Sequence, residues 1–235
     1  MLRVSKRPNG QPEIFHSLQG EGPTSGTPSV FLRLATCNLA CSWCDTKYTW
    51  DWEHHDYGQE VTNLDPGQIE ERVLESGCRR LVITGGEPLL QQEELVPLVD
   101  SLKAQGFQFE VETNGTITPV PQLLATIDQW NVSPKLSSSG NPKERRELPD
   151  VFQAFASLPN AYFKFVVVNP EDISEVCNLR DNYCLPSERI ILMPEGRTVE
   201  AIQSRSPWVS QACVEMGFRF STRLHILLWG DERGR

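Results

Sequence analysis

The sequence predicts an α/β fold in the form of an open, partial barrel of six βα units. Short apolar and β-branched runs alternate with longer segments of helical spacing. Such alternation builds a parallel sheet, and six units are too few to close an eight-stranded barrel. Polar motifs also recur directly after the apolar runs, at the carboxyl ends where a parallel barrel opens its mouth.

The elements follow in order. Strands are expected at 29–35, 80–84, 108–112, 129–133, 161–168 and 189–193. Asp65 and Pro66 cap and open the first helix, and residues 91–105 form the second, with Gly106 as its stop. Helices at 149–158, 171–181 and 198–216 complete the series. The segment 8–27 is rich in glycine and proline, and 50–62, with its aromatics, His54 and His55, reads as a loop or small insertion.

At 235 residues and 39% hydrophobic content the chain forms one domain, 1–235, with a sizeable core. No apolar run reaches the length of a membrane span, and the opening Met1-Leu2-Arg3-Val4 is no secretory signal, so a cytoplasmic protein is expected. The net charge of -9 argues against nonspecific nucleic-acid binding.

Cys37, Cys41 and Cys44 stand in a C-x3-C-x2-C run directly after the first strand. Three thiolates this close suit an iron-sulfur cluster that keeps one iron open. A structural zinc needs a fourth ligand, for which His54 or His55 stands nearest. A disulfide framework is disfavoured by the odd total of seven cysteines. Cys78, Cys177, Cys184 and Cys213 are scattered singly and read as apolar filler.

The other motifs fall at the same end of the layout. Thr84-Gly85-Gly86-Glu87-Pro88 ends the second strand, Glu112-Thr113-Asn114-Gly115 the third, Ser133-Pro134-Lys135 the fourth and Pro194-Glu195-Gly196 the sixth. Each alone could be turn chemistry, but together they face one mouth. Gly85 and Gly86 allow backbone to approach a ligand closely, and Glu112 offers a carboxylate to a ribose hydroxyl.

The cysteine run followed by Thr-Gly-Gly-Glu-Pro resembles the radical S-adenosylmethionine superfamily. That resemblance implies a partial (β/α)6, TIM-like barrel of the radical SAM type. It also implies a 4Fe-4S cluster on Cys37, Cys41 and Cys44, and S-adenosylmethionine cleaved reductively to a 5'-deoxyadenosyl radical. Phe15-His16-Ser17-Leu18-Gln19-Gly20-Glu21-Gly22, Phe31-Leu32-Arg33-Leu34 and Cys44-Asp45-Thr46 resemble, more narrowly, the 7-carboxy-7-deazaguanine synthases of queuosine biosynthesis. These convert 6-carboxy-5,6,7,8-tetrahydropterin to 7-carboxy-7-deazaguanine with loss of ammonia, using Mg2+.

Carried over by motif, Leu18, Gln19, Gly20, Arg33 and Thr84 would bind substrate, residues 1–28 forming the substrate-binding segment. Thr46 would coordinate magnesium. Gly86, Ser133, Pro134 and Lys135 would hold the cofactor, with Glu112 and the loop of Met193, Pro194, Glu195 and Gly196 beside them. A guanidinium at Arg33 suits the substrate carboxylate. The resemblance further implies a homodimer and an electron donor such as flavodoxin or ferredoxin. It assigns no contact to the C-terminal segment. An activating enzyme that places a glycyl radical on a partner protein shares the cysteine spacing and remains an alternative, as does a noncatalytic iron-sulfur or zinc module.

Overall fold

Ten strands make one sheet in the computed structural model, which describes residues 1–235. They are β1 Leu2–Ser5, β2 Ile14–Leu18, β3 Pro28–Leu34, β4 Val61–Leu64 and β5 Arg80–Gly85, then β6 Gln108–Thr113, β7 Gln129–Val132, β8 Ala161–Val167, β9 Ile190–Pro194 and β10 Arg219–Phe220. The six expected runs are β3, β5, β6, β7, β8 and β9. They lie parallel and in chain order, each hydrogen-bonded to the next. The two-residue β10 extends one edge, and β1 and β4 extend the other in antiparallel fashion, so the sheet stays open.

The connecting helices are α1 Tyr57–Glu60, α2 Pro66–Leu74, α3 Gln92–Ala104, α4 Pro121–Thr126, α5 Lys143–Arg146, α6 Pro149–Ala156, α7 Glu171–Tyr183, α8 Val199–Met216 and α9 Leu224–Trp229. Asp65 caps α2 in a reciprocal pair with Gln68, as its position before Pro66 predicts. None of these helices is long and apolar enough to cross a membrane.

Strand periodicity decides which residues reach the site. Leu81 and Ile83 of β5, Phe109 and Val111 of β6, and Phe163 and Phe165 of β8 belong to the main core under the helices. With side chains alternating, Thr84, Glu110, Glu112 and Lys164 project from the opposite face, into the barrel. A small apolar floor of Phe15, Phe31 and Val82 lies on that inner face.

Four strands and several short helices depart from the expected layout. β1, β2 and β4 are made by antiparallel pairing across the chain, not by a local pattern, and β2 runs through the glycine- and proline-rich 8–27. The 50–62 segment is a loop only in part: it contains α1, and Val61 opens β4. Residues 88–91, partly assigned to the second helix, form a separate 3-10 turn before α3.

Candidate functional site

β3 delivers the cysteines through a strained turn. Thr36 has φ 77, a left-handed conformation uncommon for a β-branched residue. Hydrogen bonds from Thr36 N to Thr49 O (2.6 Å) and from Glu87 N to Thr36 O (2.8 Å) hold it there. Gly85 and Gly86 make this crossing possible: a Cβ on them would lie 2.0 Å from Leu34 O and 2.1 Å from Thr36 O. Their close approach is therefore to the chain carrying the cysteines, where the sequence had suggested a ligand. Glu87 is fully buried and accepts from Thr113 Oγ1 (2.8 Å) and Asn114 N (2.6 Å), joining two of the motifs.

Each of the three thiols receives at least one N–H, and Cys37 a second from Asn114 Nδ2 at 3.9 Å. Leu39 N reaches Cys37 (3.5 Å), Asn141 Nδ2 reaches Cys41 (3.3 Å) and Trp50 Nε1 reaches Cys44 (3.3 Å). None is in a disulfide. Burial pushes the Cys37 thiol up to about 11 and Cys41 upward, a cost that a bound cationic centre removes by taking the thiolate. Donors aimed at sulfur suit cluster thiolates. Three thiols with these donors fit a 4Fe-4S cluster that keeps one iron open.

The thiols open into a cavity of about 410 Å3. Leu18, Gln19, Gly20, Arg33, Thr46, Thr84, Gly86, Glu112, Ser133, Lys135, Met193 and Glu195 line it with the cysteines; Pro134, Pro194 and Gly196 do not. Lys135 donates to Ser133 O (2.8 Å) and Oγ (3.0 Å) and stands 5.8 Å from the Trp43 ring. The Thr46 hydroxyl touches only the Cys44 thiol, at 3.6 Å. Thr46 presents one hard oxygen at the cavity wall, next to the Asp45 carboxylate.

Arg33, Thr84 and Glu112 form a row across β3, β5 and β6, so its ends are about 10 Å apart at the usual strand spacing. Arg33 donates from Nε to the buried Glu13 (2.9 Å), and its two terminal nitrogens have no protein partner. Thr84 donates to Glu112 Oε2 (2.6 Å). Gln19, only 2% exposed, gives its amide protons to Glu110 (2.6 Å) and Glu112 (3.1 Å) and accepts from Glu21 N (3.2 Å). Gln19 is thus a brace for Glu112. These bonds tie Glu112 to Gln19 and Thr84.

Several residues of the cavity wall were not singled out from sequence. Glu13, Glu21, Asp45, Tyr48, Lys164, Arg223 and His225 all line it, and so does the tail from Gly230 to Arg235. Arg233 lies 3.3 Å over the Tyr48 ring and donates to Glu13 (3.3 Å) and Glu60 (2.9 Å), so the C-terminal segment does reach the site. Lys164 carried a readable signal, being a charge inside an apolar strand. Burial raises the Glu21 carboxyl, but Lys164 and Arg223 outweigh it and hold the group well below the usual range.

An open parallel barrel that gathers three unbridged thiols, a glycine crossing and a polar inner face at one mouth defines an iron-sulfur enzyme of the radical S-adenosylmethionine class. Residues 18–133 match the model for a 4Fe-4S single cluster domain. A 7-carboxy-7-deazaguanine synthase of Pyrobaculum aerophilum is 41% identical, covering 95% of this chain and 96% of its own. One from Halobacterium salinarum is 37% identical over 93% of this chain and 90% of its own. The crystal structure of QueE from Escherichia coli superposes with a TM-score of 0.67 at 26% identity, over 95% of both chains. The chain belongs to the 7-carboxy-7-deazaguanine synthase family.

Proposed function

We propose that this chain converts 6-carboxy-5,6,7,8-tetrahydropterin to 7-carboxy-7-deazaguanine and ammonia, a ring contraction with no net change of electrons. The observation that carries this reading is the row of Arg33, Thr84 and Glu112 facing the three thiols across one cavity. When bound, the cluster and S-adenosylmethionine supply the radical chemistry.

The chain's own residues hold and orient the substrate. The free fork of Arg33 takes the substrate carboxylate, while Glu13, itself held by the Tyr48 hydroxyl, fixes the guanidinium from behind. Glu112, steadied by Gln19 and Thr84, accepts from N–H groups at the other end of the bicyclic ring. Such anchoring at both ends restricts the ring to one pose against the cofactor. Ser133, Lys135, Met193 and Glu195 form the cofactor side, and the Thr46 hydroxyl would hold Mg2+, which would supply a Lewis acid there. The tail, pinned by Arg233, limits water at the mouth.

Reduction by flavodoxin or ferredoxin, a homodimer and a cytoplasmic setting complete the reading on family resemblance. The test is anaerobic incubation of cluster-reconstituted protein with S-adenosylmethionine, reductant and the carboxypterin, followed by mass spectrometry. The deazaguanine product and one ammonia per turnover are expected. Cofactor cleavage without ring contraction would overturn the assignment.

A further inference from the structure

Arg223 uses all three guanidinium nitrogens, and each reaches a different loop. Nε donates to Glu21 Oε1 at 3.0 Å, Nη1 to Gly196 O at 2.7 Å, and Nη2 to Asp45 Oδ2. The side chain is 9% exposed. Glu21 takes its second contact from Lys164 of β8, so two carboxylates and two cations form an electrically balanced group in which only Asp45 is substantially exposed.

The backbone reinforces this join. Leu224 N donates to Gly20 O at 2.8 Å, and Gly22 N to Ser221 Oγ at 2.9 Å. The sheet itself does not close, and its β10 end is linked to the segment after β2 by this clasp, with no strand pairing between them. Asp45 lies between Cys44 and Thr46, and Gly196 follows the cavity-lining Glu195.

We infer that Arg223 is a positioning residue, whose buried guanidinium sets the relative placement of the substrate segment at Glu21, the cluster loop at Asp45 and Thr46, and the cofactor-side loop at Gly196. The inference rests on the proposed function for what those loops bind. Geometry makes the role specific to arginine: a lysine keeps the charge but presents one nitrogen, which cannot span three acceptors lying in different directions. Loss of charge would instead leave Asp45 without this partner and Glu21 with Lys164 alone, so the charge-conserving change is the clean probe.

The test compares wild-type, Arg223→Lys and Asp45→Asn proteins, each reconstituted anaerobically. Iron content, melting temperature, the Kd for S-adenosylmethionine by calorimetry, KM for the carboxypterin and the magnesium midpoint are measured. Arg223→Lys is expected to keep wild-type iron content while raising both the cofactor Kd and the substrate KM at least tenfold. Asp45→Asn, which weakens one arm by removing its charge while leaving an amide oxygen to accept, should shift the magnesium midpoint and leave the cofactor Kd within twofold.

A lower melting temperature with all ligand constants within twofold of wild type would reduce Arg223 to a structural residue and overturn the inference. So would a Lys variant in which only one of the two constants moves. If Arg223→Lys fails to take up iron, Asp45→Asn decides: an unmoved magnesium midpoint refutes the positioning role. Wild-type protein that leaves the carboxypterin unchanged would refute the proposed function, while the cofactor Kd would still report on Arg223.

Discussion

The imidazole of His225 occupies the space that a side chain on Gly20 would need. A Cβ built on Gly20 would lie 2.1 Å from His225 Nδ1. Two residues far apart in sequence therefore specify each other at the cavity wall, where both lie. Gly20→Ala is expected to cost about 1–3 kcal/mol through overpacking and to raise the substrate KM. In a His225→Ala background the same change should cost at least about 1 kcal/mol less, because the clash is gone. Urea unfolding of the four proteins in the cycle measures this, and strictly additive losses would disprove the contact.

His225 also gives the fold a pH response. Burial holds it below its ordinary value of 6.5, partly opposed by Glu21 and Asp45 and assisted by Arg223 and Arg33. The folded chain thus binds fewer protons here than the unfolded chain. Its contribution to stability is present above 6.5 and fades as pH falls toward the lower folded value. Wild type should lose more stability than His225→Gln between pH 7.5 and 5.5, and equal losses would show that His225 does not supply the dependence.

Arg33→Ala removes the free fork while Glu13 keeps Tyr48 and Arg233 as partners. The carboxypterin KM should rise about 10- to 100-fold, the scale of charged hydrogen bonds, with the cofactor Kd within twofold. An unchanged KM would take Arg33 out of the substrate site.

Thr46→Ala deletes the hydroxyl beside Cys44 and removes none of the N–H groups that donate to the three sulfurs. Iron content should hold and magnesium stimulation of turnover should vanish. Identical magnesium curves in mutant and parent would refute the metal assignment.

Gly86→Ala would press a methyl onto Thr36 O and toward Cys37 Cβ, 2.1 and 3.1 Å away. Displacing that turn should halve cluster uptake or worse while the barrel still folds. Full iron content on anaerobic reconstitution would show the crossing to be more yielding than its geometry implies.

The sequence by itself determined the parallel series and the chemistry of its mouth. Strands such as 80–84 and 161–168 are predominantly apolar runs, and motifs placed after them can only fall at their carboxyl ends. The cysteine run was equally readable, because its three ligands are local in sequence.

Only the tertiary structure decided what surrounds them. β1, β2 and β4 exist through pairing of distant segments, and strands of four or five residues leave little periodic signal. Gln19 could be named from a motif, but that it braces Glu112 depends on bonds spanning 93 residues. Arg223 meets Asp45 across 178 residues, and its neighbours Gly20 and His225 fit each other only once both ends of the chain are folded. Contacts of that range depend on backbone placement, and no local pattern encodes them.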